Sequence, residues 1–166
     1  MDFREKKVLF LDVDGTLITT ATGEVFAKDI TDFRVRKKVL DIIKASNISR
    51  VALVTNQGGI PEFVSEEDFI AKLKTLEFFV FTYCKKAVSS HYCASQDKDD
   101  PRRKPNTGML EEAVATLPSK MRDKACMLMV GDASGKEGDW SDSDKMTAEN
   151  YGIDYMDIND FLCITL

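Results

Sequence analysis

Short apolar runs and helical stripes alternate along this chain. Lys7–Leu11 is a β-branched and aromatic run ending at Asp12, which predicts a first buried strand. Residues 13–31, rich in Thr and Gly, read as a turn leading into a small hairpin or flap. From about Asp32 the apolar positions Val35, Val39, Ile42 and Ile43 recur at helical spacing, and Arg50–Val54 predicts a second strand. Ser65 and Asp68 form a capping box ahead of Phe69, Leu73, Leu76 and Val80 on one helical face. A short strand at Ala87–Ser90 and a charged loop at Gln96–Lys104 follow. A helix then runs from Thr107 or Gly108 to Leu117, stopped by Pro118, before an apolar strand at Ala125–Val130. A polar, Gly-bearing loop (Gly131–Ser143), a helix over Ser143–Tyr151 and one more short strand and helix complete the pattern. Phe78, Phe79, Phe81, Met127 and Met129 are read as core.

Strands alternating with helices imply an α/β fold of Rossmann-like, doubly wound form, its mostly parallel sheet flanked by helices. The 166 residues suit a single domain over 1–166. Ligands of such sheets gather at the carboxyl ends of strands, and three polar clusters fall there. They are Asp12-Val13-Asp14-Gly15-Thr16, Thr55-Asn56-Gln57-Gly58 and Gly131-Asp132.

Composition narrows the function. The chain carries 23 basic and 28 acidic side chains, a formal −5, unlike a protein that coats nucleic acid through a basic surface. No apolar run approaches the roughly 20 residues of a membrane helix. The amino terminus does not read as a signal peptide, so the expected location is cytoplasmic, with the nucleus still open. Four widely spaced cysteines without a Cys-x-x-Cys suit free thiols.

Two carboxylates one residue apart, at a strand end and followed by Gly-Thr, form the central chemical feature. The turn after Asp12 swings Asp14 round, so that one carboxylate can attack phosphorus while the other serves the leaving oxygen. A carboxylate approaching a phosphate dianion is repelled, so the site needs cations; Mg²⁺ held by carboxylates and the phosphate would serve. Asp132 supplies a third carboxylate and Lys104 a fixed positive charge. Thr55 and the backbone N–H groups around Asn56–Gly58 can bind phosphoryl oxygens.

In order, Asp12-Val-Asp-Gly-Thr, Val54-Thr-Asn, Lys104-Pro and Gly131-Asp resemble the four motifs of the haloacid dehalogenase superfamily of phosphohydrolases. That resemblance, covering about Val8 to Phe161, implies Asp12 as a nucleophile forming an aspartyl-phosphate and Asp14 as general acid, then base. It places Thr55 and Lys104 on the phosphate, and Mg²⁺ on Asp12, the Asp14 main-chain carbonyl and Asp132. The second acid of the fourth motif is better matched by Asp144 in helical phase, with Asp139 nearer in sequence and still open. Further pieces narrow the likeness: Gly23-Glu-Val-Phe, Thr55-Asn-Gln-x-Gly-Ile, Lys104-Pro-x-Thr-Gly-Met and Val130-Gly-Asp-Ala-x-Gly. These resemble the 3′-phosphatase domain of polynucleotide kinase/phosphatase, which implies a nucleic-acid 3′ end as substrate. Lys136, Trp140 and the insertion at Gln96–Arg102 depart from that pattern.

Thr16, Asn56 and Gln57 are expected to contact substrate beside the catalytic groups. Arg103 is expected on a substrate phosphate, and Phe26 in the flap on a terminal base. The gaps Leu17–Val54 and Gln57–Arg103 leave no room for a cap domain, so an open site is expected. Gly131–Lys136 has the wrong spacing for a phosphate-binding P-loop, so no kinase domain is expected. His91 near Cys93 lacks the Cys-x-Cys of a zinc loop and reads as a partly buried histidine. Three other readings fit parts of the pattern: a small-metabolite phosphatase of the histidinol-phosphate or heptose-bisphosphate type, a phospho-accepting regulatory module, and an inactive scaffold. No membrane and no stable protein partner is inferred.

Overall fold

The computed structural model describes residues 2–24, 27 and 29–165. Five parallel strands form the central sheet in the order β5-β4-β1-β6-β7. They are β1 (Val8–Leu11), β4 (Arg50–Asn56), β5 (Ala87–Cys93), β6 (Met127–Gly131) and β7 (Asp154–Asp157). A separate antiparallel pair, β2 (Ile18–Thr19) with β3 (Arg34–Val35), makes the flap.

The near-continuous apolar runs of β1 and β6 follow from burial on both faces. Alternate side chains point oppositely. Leu9, Leu11, Val51, Leu53, Leu128 and Val130 pack with α1 (Lys37–Ala45), α2 (Glu66–Phe79) and α5 (Ile158–Leu162). Val8, Phe10, Ala52, Val54, Met127 and Met129 pack on the other face with α3 (Gly108–Ala115) and α4 (Ser143–Tyr151). The Ser65 hydroxyl accepts from the Asp68 N–H at 3.1 Å, capping α2 as its sequence predicts.

Several boundaries move. The helix expected from about Asp32 begins at Lys37, and Val35 belongs to the flap, where it pairs with Ile18. Asp32 is used in the flap instead: its carboxylate accepts from the Thr22 N–H and hydroxyl, each at 2.9 Å. Arg36, the residue before α1, donates from its guanidinium to the Gly15 carbonyl at 2.9 Å. Pairing with β4 lengthens β5 to Cys93, so half-buried His91 stands on the sheet, within reach of Ser89 and Glu112.

The core assignment of three phenylalanines is corrected. Phe78, Phe79 and Phe81 are 63%, 42% and 57% exposed. Phe69, Leu73, Leu76 and Val80 occupy the inward stripe of α2 and its π-helical extension, and the three rings fall off that stripe. Among the described residues, no helix is long and apolar enough to cross a membrane.

Candidate active site

The site lies at the carboxyl ends of β1, β4 and β6. The Asp12 N–H donates to the Val130 carbonyl at 3.0 Å, extending the β1–β6 ladder and delivering the Asp12 side chain to the sheet edge. Lys104 arrives from the loop before α3. Its ammonium donates to Asp12 Oδ1 at 2.6 Å, Asp144 Oδ1 at 2.6 Å and the Val54 carbonyl at 3.1 Å. All three of its N–H groups are thereby used. Asp12, Lys104 and Asp144 are all buried.

Two glycines make this crowding possible. A Cβ on Gly131 would stand 2.1 Å from Asp144 Oδ2, and one on Gly15 would stand 1.9 Å from Asp132 Oδ2. Gly15 also holds φ +77°, which side-chain-bearing residues seldom adopt. Asp144, in the first turn of α4, accepts from the Ala133 N–H at 3.1 Å through its second oxygen.

Asp12, Asp132 and Asp144 present carboxylate oxygens all within 4.8 Å of one another. Against them stands the single Lys104 ammonium, so the cluster carries excess negative charge. Hard oxygen donors and net negative charge fit a divalent cation such as Mg²⁺. Burial, with Asp144 close by, pushes the Asp132 carboxyl up to about 6. Burial also raises Asp12, more than Lys104 pulls it down. For Lys104, burial works against the charged form, but Asp12 and Asp144 prevail and hold the ammonium firmly protonated.

Asp139, the other candidate for the second acid, lies outside this cluster. Its Oδ2 accepts from the Ser134 N–H at 3.1 Å, the Ser134 hydroxyl at 2.6 Å and the Lys136 N–H at 3.0 Å. It ties the 133–142 loop together, and Asp144 is the acid beside Lys104.

Asp14 occupies a different environment. Its side chain is 54% exposed, with Oδ2 accepting from Gln57 Nε2 at 2.6 Å and Oδ1 facing Lys72 Nζ at 3.4 Å. Gln57 Nε2 also donates to Thr55 Oγ1 at 2.9 Å, leaving the hydroxyl hydrogen of buried Thr55 free to donate.

Two residues expected at the substrate have their side chains placed elsewhere. Asn56 spends its amide on the backbone of Lys104, donating to its carbonyl and accepting from its N–H, each at 2.9 Å. Thr16 is fully buried. Arg103 stands beside Gly58, with one guanidinium N–H committed to the Ser95 carbonyl at 2.7 Å. Phe26 lies outside the described residues. Sequence reading missed Lys72 entirely; its one signal is a basic residue beside the apolar stripe of α2, three after Phe69.

A parallel sheet with strand-end carboxylates, a buried lysine and a third acidic strand end defines a haloacid dehalogenase-type phosphatase. Within that class, the family model described as polynucleotide kinase 3 phosphatase matches residues 7–162, and the chain belongs to this family. It is 33% identical over 156 residues to the bifunctional polynucleotide phosphatase/kinase of Schizosaccharomyces pombe. That match covers 92% of this chain and 36% of the relative, so the chain spans about a third of that protein's length. Among solved structures, it is similar to a putative HAD-like phosphatase from Mesorhizobium loti. There the TM-score is 0.60 at 24% identity, covering 89% of this chain and 69% of the other. A D,D-heptose 1,7-bisphosphate phosphatase from B. bronchiseptica, complexed with magnesium and phosphate, also matches with TM-score 0.60. Its identity is 19%, over 94% of this chain and 96% of that one.

Proposed function

We propose that this chain is a Mg²⁺-dependent phosphatase that removes the 3′-phosphate from nucleic-acid ends. The observation that carries the chemistry is the contrast between its two neighbouring carboxylates. Asp12 is buried and pinned by Lys104, as a nucleophile must be held; Asp14 is half open to water, as a group that exchanges protons must be. The family match supports the choice of a polynucleotide 3′ end.

In the first step an Asp12 carboxylate oxygen attacks phosphorus, forming an acyl-phosphate bond as the P–O3′ bond breaks. Asp14 gives its proton to the departing oxygen, which leaves as a 3′-hydroxyl. In the second step water loses a proton to Asp14 while its oxygen attacks the same phosphorus. The bond to Asp12 breaks, inorganic phosphate departs and the Asp12 carboxylate is restored. Lys104 fixes the nucleophile throughout, and the Thr55 hydroxyl and the N–H groups after β4 receive phosphoryl oxygens. Asp12, Asp132 and Asp144 would hold Mg²⁺, which supplies charge neutralisation between carboxylates and phosphate.

Similarity to the heptose-bisphosphate phosphatase fold favours a second reading, a small-metabolite phosphatase. A phosphate-release assay with Mg²⁺ separates the two. It compares a 3′-phosphorylated oligonucleotide, its 5′-phosphorylated counterpart, heptose bisphosphate and histidinol phosphate. Preference for the 3′ end is expected; equal or better turnover of a small phosphate would overturn the nucleic-acid assignment.

A further inference from the structure

Lys72 stands within α2, yet its side chain is only 9% exposed. Its ammonium lies 3.4 Å from Asp14 Oδ1 and 5.6 Å from the centroid of the Phe33 ring. Phe33 belongs to the flap, one residue before β3. The other oxygen of Asp14 is engaged by Gln57. Each oxygen of the Asp14 carboxylate therefore meets a different donor, one from the loop after β4 and one from α2.

The two donors differ in charge. Gln57 offers a neutral amide, whereas Lys72 brings a charged donor. Shielding by Phe33 keeps that ammonium against the site and away from bulk water, which strengthens its pull on the carboxylate.

We propose that Lys72 is a positioning residue for Asp14, holding its carboxylate aimed at phosphorus, and that Phe33 couples this hold to the flap. The proposal rests on the reading of Asp14 as the acid and base of phosphate transfer. Without Lys72, a carboxylate as exposed as Asp14 turns toward water and is aimed at the attacking water for less of the time. Hydrolysis of the aspartyl-phosphate then slows more than its formation, and the phosphoenzyme accumulates.

The test uses the full chain with Mg²⁺, a 3′-phosphorylated oligonucleotide and p-nitrophenyl phosphate. Steady-state kinetics are combined with acid-quench trapping of the phosphoenzyme. Lys72→Met is expected to lower kcat about tenfold, part of the roughly hundredfold or greater share of general acid–base catalysis, with KM within about twofold. The trapped phosphoenzyme fraction should rise. Lys72→Arg should recover kcat to within about threefold of the parent, and Phe33→Ala should lose about threefold by the same kcat route. Three results would each overturn the proposal: an unchanged kcat in Lys72→Met, a loss confined to KM, or no recovery by arginine. A parent chain that turns over no monoester and forms no phosphoenzyme overturns the phosphatase reading and this inference together. An active parent with an indifferent Lys72→Met overturns this inference alone.

Discussion

Asn56 clamps the backbone of Lys104, its side-chain amide donating to one peptide group and accepting from the next. The strand end that carries Thr55 thus also sets the height of the lysine that pins Asp12. Asn56→Ala leaves a carbonyl and an N–H of that half-buried loop unpaired, which costs about 1–3 kcal/mol each when water cannot reach them. The expected outcome is a lowered Tm and at least a tenfold drop in kcat, read by thermal melting and phosphate release. Full activity in a folded Asn56→Ala chain would show that Lys104 finds its place unaided.

Gly15 makes a second close approach, this time to Asp132. In Gly15→Ala the new methyl group would fall 1.9 Å from a carboxylate oxygen, and the flexible end of Asp132 would swing aside. The positive φ adds a cost of about 1 kcal/mol for a residue with a Cβ. Mg²⁺ affinity measured by calorimetry should therefore fall at least tenfold, while the fold, followed by circular dichroism, persists. An unaltered affinity would mean that Asp132 is dispensable for the metal.

The carboxylate cluster also makes stability depend on pH and metal together. Asp132 is pushed up to about 6, and Asp12 is raised as well, both chiefly by burial. Between about pH 4 and 6 the folded metal-free chain therefore holds protons that the unfolded chain has released, so stability falls as pH rises. Asp29, Asp41 and Asp139 shift the opposite way through hydrogen bonds from Thr31, Lys37 and Ser134. Their stabilisation is lost only as pH falls below the ordinary carboxylate range, outside this window. The metal-free chain should melt at a higher temperature at pH 5 than at pH 7, and Mg²⁺ should raise Tm more at pH 7. A metal-free Tm that declines steadily from pH 7 to pH 5 would contradict the cluster's electrostatics.

Two aspartates only five residues apart should respond differently to the same change. Asp144→Asn removes a charge that faces Lys104 and belongs to the metal cluster. It should reduce kcat at least a hundredfold and weaken Mg²⁺ binding. Asp139→Asn replaces an acceptor of three hydrogen bonds that order a loop. Its loss should stay within about fivefold in kcat and appear mainly as lowered stability. Equal losses in the two variants would put Asp139 back among the metal-binding acids.

Asp12, Thr55 and Asp132 were legible because each closes a strand whose apolar run is unmistakable, so local pattern alone places them on one sheet edge. Lys104 stood out as a basic residue just before a predicted helix, and Asp144 as the better match in helical phase to the fourth motif of the resemblance, with Asp139 left open. Lys72 was not legible, because its partner lies 58 residues away and nothing near it on α2 marks it as more than a solvated lysine. The clamp from Asn56 is long-range in the same way, and a Thr-Asn pair beside a phosphate site reads most simply as two ligands. Val35 misled for a subtler reason: it keeps helical phase with Val39, Ile42 and Ile43, yet its residue type suits a strand equally. The exposed phenylalanines show the limit of hydropathy, which reports that a ring is apolar and not which side of a helix has room for it.

The basic residues next to the phosphate site bear on how a nucleic-acid substrate is held. Lys104 is committed to Asp12 and Asp144, Arg102 to Glu112 at 2.9 Å, and Arg103 in part to the Ser95 carbonyl. None of these three is wholly free to track a phosphodiester backbone, and the chain carries a formal −5. Recognition should then neutralise only one or two phosphates at the end of a strand. On single-stranded DNA each contact contributes about −0.7 to the slope of log kcat/KM against log salt, so a slope between about −0.7 and −1.4 is expected. A series of 3′-phosphorylated oligonucleotides of increasing length should show no gain in kcat/KM after the first few nucleotides. A slope near −4, or continued improvement with length, would require a basic track along the strand, which the committed arginines and lysine do not provide.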